Sequence, residues 1–243
     1  MEALRIQNLK KAFGGLPAIN DVSLAVEAGE RRLIIGPNGA GKTTLFNLVT
    51  GDLPRDAGTI QLFGEEVSRL ATHWRVHRGL ARTYQIITLF PKDTLEHNVA
   101  LSLMGLSRTR WSVFGAVPGR FYEEARAVLD RVGLEGEARR SVAEIPYGEK
   151  RRVEIAMALA QKPRVLLLDE PLAGLSREER AQVKNLIAAI PRETTVVLIE
   201  HDMDTALDLA DRITVLHYGR VIVEGTRAEV VADPKTREVY LGH

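Results

Sequence analysis

Gly36-Pro37-Asn38-Gly39-Ala40-Gly41-Lys42-Thr43-Thr44 decides how the chain is read. It fits G-x-x-x-x-G-K-[ST], in which glycines let the backbone close around a phosphate chain with its N–H groups pointing inward. With ordinary residue frequencies, a chance match in a chain of this length is on the order of one in a hundred. The flanks strengthen the match. Leu33–Ile35 reads as a strand running into the loop, and an apolar helix follows over Lys42–Val49, the strand–loop–helix order that a phosphate site needs. Lys42 would place a point charge between β- and γ-phosphates, the Thr43 hydroxyl would be a ligand for Mg²⁺, and the helix N-terminus would add its dipole. The ligand implied is a triphosphate with Mg²⁺.

Further along, Val165-Leu166-Leu167-Leu168 is an unbroken apolar run, as expected of a central parallel strand covered on both faces, and it ends on Asp169-Glu170. Carboxylates at that end of a strand lie where open α/β sheets bind ligands. Asp169 would hold Mg²⁺ through its water shell. Glu170 would orient and deprotonate the water that attacks the γ-phosphate.

Outward from these two segments, strands are expected around Leu4–Leu9, Val22–Val26, Thr59–Phe63 and Thr195–Ile199. A hairpin is expected over Ile213–His217 and Val221–Glu224. The spacing of Leu95, Val99 and Leu103, and of Phe121, Ala125, Val128 and Leu129, is helical and stops at Gly133. Gly105–Gly119 between them reads as a loop or small hairpin. A further helix is expected over Glu149–Ala160, closed by Pro163. Ser176-x-x-Glu179 and Thr226-x-x-Glu229 read as capping boxes, the first opening a helix to about Ala189 and the second a last helix. The organisation is an α/β core, residues 1–85 and 161–243, with a mostly helical insertion over 86–160.

Composition narrows the function. The 243 residues are 45% hydrophobic, enough for a full core. Lys and Arg number 33 against 32 Asp and Glu, a net charge of +1, which argues against a general nucleic-acid binder. With no cysteine, a disulfide scaffold and a thiolate zinc site are both excluded. The opening MEALRIQNLKKAFGG has no apolar h-region, and no apolar run approaches a membrane span. A soluble, intracellular chain is expected, so that any membrane work would need other spanning chains.

With these motifs in place, the sequence resembles the ABC ATPase family over its whole length, which implies a P-loop NTPase core of the α/β class with a helical subdomain inserted. The resemblance assigns further roles. Phe13, with Ala18 alongside, matches the aromatic that stacks on adenine; from the residues alone, an apolar core position is as good a reading. Gln85 matches the glutamine that ligates Mg²⁺ and senses the membrane partner. His201 matches the switch histidine on the γ-phosphate, and Ala173-Gly174-Leu175-Ser176 the segment packed on the opposing subunit.

The signature segment departs from the common Leu-Ser-Gly-Gly-Gln. Here it reads Ile145-Pro146-Tyr147-Gly148-Glu149, with Pro146 where the serine hydroxyl would reach the γ-phosphate. Tyr147, Gly148 and Glu149 remain candidates for the partner subunit's ATP. Lys150, Arg151 and Arg152 follow in the first helical turn, where cations oppose the dipole, and a solvated face is the expected reading. A Tyr-Gly core, Arg82-Thr83-Tyr84-Gln85, Ile199-Glu200-His201-Asp202-Met203, the 105–120 loop and the Tyr240-Leu241-Gly242 ending are similar to ATPase subunits of branched-chain amino-acid and urea-type importers.

That resemblance implies a head-to-tail dimer, with itself or with a second ATPase subunit, on the inner face of the cell membrane. It also implies membrane-spanning permease subunits and, indirectly, a periplasmic solute-binding protein. Gln85, Ile86, Leu89 and Phe90 would receive a permease helix or else belong to the subdomain core. A lipid or polysaccharide exporter ATPase shares most of these motifs but more often keeps Ser-Gly-Gly. A DNA-acting ATPase would carry a coiled-coil insertion or a basic face, which this chain lacks. A non-hydrolysing regulatory module is disfavoured because Glu170 and His201 are both present.

Overall fold

The computed structural model describes residues 1–107, 117–201 and 206–241, with Tyr240 and Leu241 described by their backbone alone. Most of the expected 105–120 loop, Asp202–Met203 of the switch segment and Gly242 lie outside these residues. The chain divides into two compact units. The first comprises Met1–Arg82, Arg164–Glu170 and Ile190–His243, and the second Thr83–Pro163 and Pro171–Ala189.

The first unit holds two sheets. β1 (Glu2–Phe13), β2 (Leu16–Glu27), β4 (Ala57–Leu62) and β5 (Glu65–Glu66) form an antiparallel sheet ordered β2-β1-β4-β5. One face of β2 is buried through Val22, Leu24 and Val26, alternating with exposed residues, the period of a strand with one wet side.

The other sheet runs β10-β9-β3-β8-β7-β6, with β3 Arg31–Ile35, β6 Leu80–Thr83, β7 Val165–Asp169, β8 Thr195–Ile199, β9 Arg212–His217 and β10 Arg220–Gly225. The pairs β3–β8, β3–β9 and β7–β8 are parallel, and β9–β10 is the expected hairpin. Every residue of β7 and β8 is buried, which is why Val165–Leu168 reads as an unbroken apolar run and Thr195–Ile199 as a buried strand. Ile34, Leu167, Val197 and Ile199 share one core with Leu45, Phe46 and Leu48 of α1 (Lys42–Thr50) and with Leu4, Ile6 and Ile60 of the antiparallel sheet. The phosphate-loop helix is therefore seated on the central strands.

One element that periodicity does not reveal anchors the far end of α1. The short helix α2 (Thr72–His77) carries Arg75, only 3% exposed. Its Nη1 donates to the carbonyls of Leu48 and Val49 (2.7 Å each), its Nε to Leu70 O (2.9 Å) and its Nη2 to Ser68 O (3.1 Å). A guanidinium thus satisfies carbonyls at a helix C-terminus, where a cation also complements the dipole. Arg75→Met would orphan four carbonyls, and we expect a loss on the order of 3 kcal/mol. A fall in denaturant midpoint at constant m-value reads it.

The second unit packs α3 (Leu95–Leu106), α4 (Gly119–Arg131) and α5 (Tyr147–Ala160) around Leu95, Val99, Ala125, Leu129, Val153 and Ala156. Leu95, Val99, Ala125 and Leu129 are among the positions that the helical spacing picks out. Thr94 caps α3 by accepting from the His97 N–H (3.2 Å). Helix α6 (Arg177–Ala189) opens on the expected Ser176–Glu179 box: the Ser176 N–H donates to Glu179 Oε2 (2.9 Å) and the Glu179 N–H to Ser176 Oγ (3.3 Å).

In the first unit, Thr226 and Glu229 form the second box and open α7 (Arg227–Ala232). It is not the last helix, since α8 (Pro234–Leu241) follows, with a proline at its first position where no N–H is required. No helix among the described residues is long and apolar enough to cross a membrane.

Candidate nucleotide site

The phosphate loop leaves the C-terminal end of β3 between its neighbours β8 and β9. Gly36 has φ 158°, and a Cβ there would overlap the Leu216 carbonyl of β9. Gly41, at φ 101°, is the N-cap of α1, so the helix starts one residue beyond it, at Lys42; a Cβ on Gly41 would lie 2.5 Å from Ala18 O. Both glycines allow close backbone approach, and the second brings Ala18 against the loop.

No side chain caps α1 and no acidic residue sits in its first turn, so its N-terminal N–H groups carry an uncompensated positive dipole end. Lys42, 7% exposed, donates from Nζ to Gly36 O (2.7 Å) and Pro37 O (3.1 Å). Burial pulls its ammonium below the usual lysine range, and the charges of Glu170, Asp169 and Glu200 pull the other way. Asn38, Gly39 and Thr43 are exposed, and Thr44 is half-buried.

Asp169 ends β7, fully buried. Its Oδ2 accepts from Arg82 Nη2 (2.7 Å), whereas Oδ1 is buried with no hydrogen-bond partner among the described residues. An orphaned carboxylate oxygen suits a hard cation or its water shell. Glu170, next in the chain, is held at φ 47°, a left-handed conformation that a non-glycine residue adopts at a cost. Its N–H donates to Ile199 O (3.0 Å), and its Oε2 lies 3.8 Å from Nδ1 of His201 at the end of β8. The structure therefore brings Lys42, Asp169, Glu170 and His201 together. Glu200, 2% exposed and also acting on Lys42, completes the group. It escapes the sequence reading because it extends a strand-end motif read for its histidine alone.

The Phe13 ring is 50% exposed with Lys11 Nζ 5.6 Å above it, so it is not a core residue.

Gln85, Tyr147, Gly148 and Glu149 lie in the second unit. Pro146 is the N-cap of α5 and has no side-chain acceptor for the first turn. Glu179 supplies it instead: its Oε1 accepts from the Gly148 N–H (3.1 Å), and a Cβ on Gly148 would overlap that carboxylate. The Ser176 N–H and hydroxyl, and then the Gly148 N–H, hold the Glu179 carboxyl below the usual range.

Arg151 corrects the expectation of a solvated basic face, because it is fully buried. Its Nη1 donates to Glu154 Oε2 (2.6 Å) and Tyr84 O (2.8 Å), and its Nη2 to Gln85 O (3.1 Å). Glu154 Oε1 accepts from the Tyr84 N–H (2.9 Å). An i, i+3 ion pair on α5 thus grips the backbone just where Gln85 begins its loop. Ile86 and Phe90 are 78% and 54% exposed, while Leu89 packs against the helical core, so only Leu89 belongs to that core.

A family model described as ABC transporter matches residues 19–173. The high-affinity branched-chain amino acid transport ATP-binding protein BraF of Pseudomonas aeruginosa is 38% identical, over 98% of this chain and 97% of that protein. The structure of MJ1267, an ATP-binding cassette of an ABC transporter in its ADP conformation, superposes with a TM-score of 0.88, 31% identity and complete coverage of both chains. The dimeric post-hydrolysis state of the cassette MJ0796 bound to ADP and Pi aligns at a TM-score of 0.79 and 27% identity, covering 92% of this chain and 98% of that one.

Proposed function

The chain belongs to the ABC transporter family, and from that premise we propose that it is the ATP-hydrolysing motor subunit of an importer for branched-chain amino acids or a related small polar solute. The observation that carries the chemistry is the convergence of Lys42, Asp169, Glu170 and His201 at the ends of adjacent strands. The near-full-length likeness to a branched-chain amino acid transport ATP-binding protein carries the transport reading.

ATP binds with its phosphates wrapped by the N–H groups of residues 36–44 and its adenine on Phe13. Lys42 turns from its own loop carbonyls to the β- and γ-phosphates. Thr43 and Asp169 would hold Mg²⁺, which would supply positive charge against that of the phosphates. Glu170 accepts the proton of the attacking water, and its left-handed backbone fixes the direction in which the carboxylate is offered. His201, within reach of Glu170, aligns that carboxylate and the γ-phosphate.

A second ATPase chain, head-to-tail, completes the site with Tyr147, Gly148 and Glu149. Because the Gly148 N–H is held by Glu179, engaging the partner's ATP exchanges a carboxylate for a phosphate on the same donor. The assembly sits at the inner face of the cell membrane, with permease subunits receiving the motion and a periplasmic protein delivering the solute.

Light scattering of Glu170→Gln, with and without Mg-ATP, tests the dimer. Doubling of mass in the chain alone identifies a homodimeric motor. Doubling only when the second ATPase chain is added identifies a heteromeric one. No nucleotide-dependent association in either mixture contradicts the head-to-tail reading.

A further inference from the structure

Arg82 belongs to a motif that the mechanism above leaves without a role, yet it is the residue in direct contact with the metal carboxylate. Its side chain, on β6, is 4% exposed. Nη2 donates to Asp169 Oδ2 (2.7 Å) and Nη1 to Asn47 Oδ1 of α1 (2.7 Å), with Asp52 and Thr50 further off at 3.4 Å. The guanidinium lies 5.5 Å from the centroid of the Phe46 ring. One planar cation therefore spans from the helix that carries Lys42 and Thr43 to the strand end that carries Asp169.

The form of the pair is informative. An arginine bracing a buried carboxylate for stability alone would be expected to engage both oxygens, since an unsatisfied charged oxygen in the interior is costly. Arg82 takes one oxygen of Asp169 and leaves Oδ1 buried and unpartnered. The guanidinium fixes the rotation of the carboxylate, while the remaining oxygen stays available to something that is not protein.

We infer that Arg82 is a positioning residue for the divalent cation: it clamps one oxygen of Asp169 to α1 so that the other accepts from the water shell of the cation bound with ATP. The inference rests on reading Asp169 as the metal carboxylate, and the test separates the two.

Electron paramagnetic resonance with Mn²⁺ as the probe, in full-length Glu170→Gln protein saturated with ATP, measures cation affinity without turnover. Asp169→Asn and Arg82→Met are each expected to weaken Mn²⁺ binding by roughly tenfold or more, the scale of outer-shell losses at metal sites. ATP binding in EDTA, which depends on the phosphate loop, is expected to stay at the parental value in Arg82→Met. A brace with no part in the cation site would lower thermal stability and leave Mn²⁺ affinity untouched, and parental Mn²⁺ affinity in Arg82→Met beside a loss in Asp169→Asn overturns the inference alone. Parental affinity in Asp169→Asn overturns the underlying reading and the inference with it. Should Arg82→Met fail to give a native circular dichroism spectrum, Arg82→Gln decides by the same criterion, because it keeps a donor but removes the charge.

Discussion

Glu170→Gln is expected to cut the rate of ATP turnover by a hundredfold or more, the usual size of a general-base contribution (about 10²–10⁴), while ATP affinity changes little. The substitution keeps the shape of the side chain and removes its ability to take a proton. Nothing in nucleotide binding is expected to depend on that ability, because the proposed holders of the phosphates are the loop N–H groups and Lys42. The geometry sharpens the expectation: Glu170 sits at φ 47° with its N–H on Ile199 O, so the backbone holds position 170 whatever its side chain. A loss confined to kcat therefore identifies a group that acts in the transition state. Phosphate release under saturating Mg-ATP, beside equilibrium binding of a fluorescent ATP analogue, separates the two parameters.

Gly36→Ala is expected to weaken ATP binding by roughly a hundredfold or more, equivalent to about 2.7 kcal/mol, while removing no side chain from the site. The added methyl would overlap the Leu216 carbonyl of β9, and backbone on both sides is fixed by the parallel β3–β9 pairing. Neither strand can yield without breaking the sheet, so the loop moves, and its N–H groups move with it. Lys42 and Thr43 remain present but displaced, and a displacement of about 1 Å is enough for a loss of this size. Equilibrium dialysis with ATP in EDTA isolates the loop from the cation. Loss of affinity with a native circular dichroism spectrum is the predicted result; binding at the parental level would mean that the loop tolerates a side chain at its first position.

The features that declared themselves in the sequence are those whose physics is local. The phosphate loop is a contiguous pattern, β7 and β8 read as buried strands because both faces are covered, and both capping boxes place an acceptor three residues from a donor. What escaped depends on partners distant in sequence. Arg151 looked like one of three cations on a wet first turn; it is buried only because Tyr84 and Gln85 present carbonyls to it and Glu154 shares the space. Arg75 lies in a six-residue helix whose purpose, satisfying carbonyls at Leu48 and Val49, cannot be read from its own periodicity. Pro146 reads in the sequence as a lost hydroxyl for the γ-phosphate, and it also leaves α5 without a side-chain cap of its own. The structure shows the acceptor arriving instead from Glu179, a residue legible only as part of its own helix's box.

The central claim is that hydrolysis at this site drives solute inward. The most direct measurement is uptake of radiolabelled leucine into proteoliposomes holding this chain together with the permease and ATPase chains proposed as its partners, with the proposed binding protein and solute outside and Mg-ATP enclosed. The expected result is ATP-dependent accumulation that collapses when Glu170→Gln replaces the parent chain. Accumulation that persists with Glu170→Gln at the parental rate would contradict it, because transport would then not depend on hydrolysis at the site built by Lys42, Asp169 and Glu170.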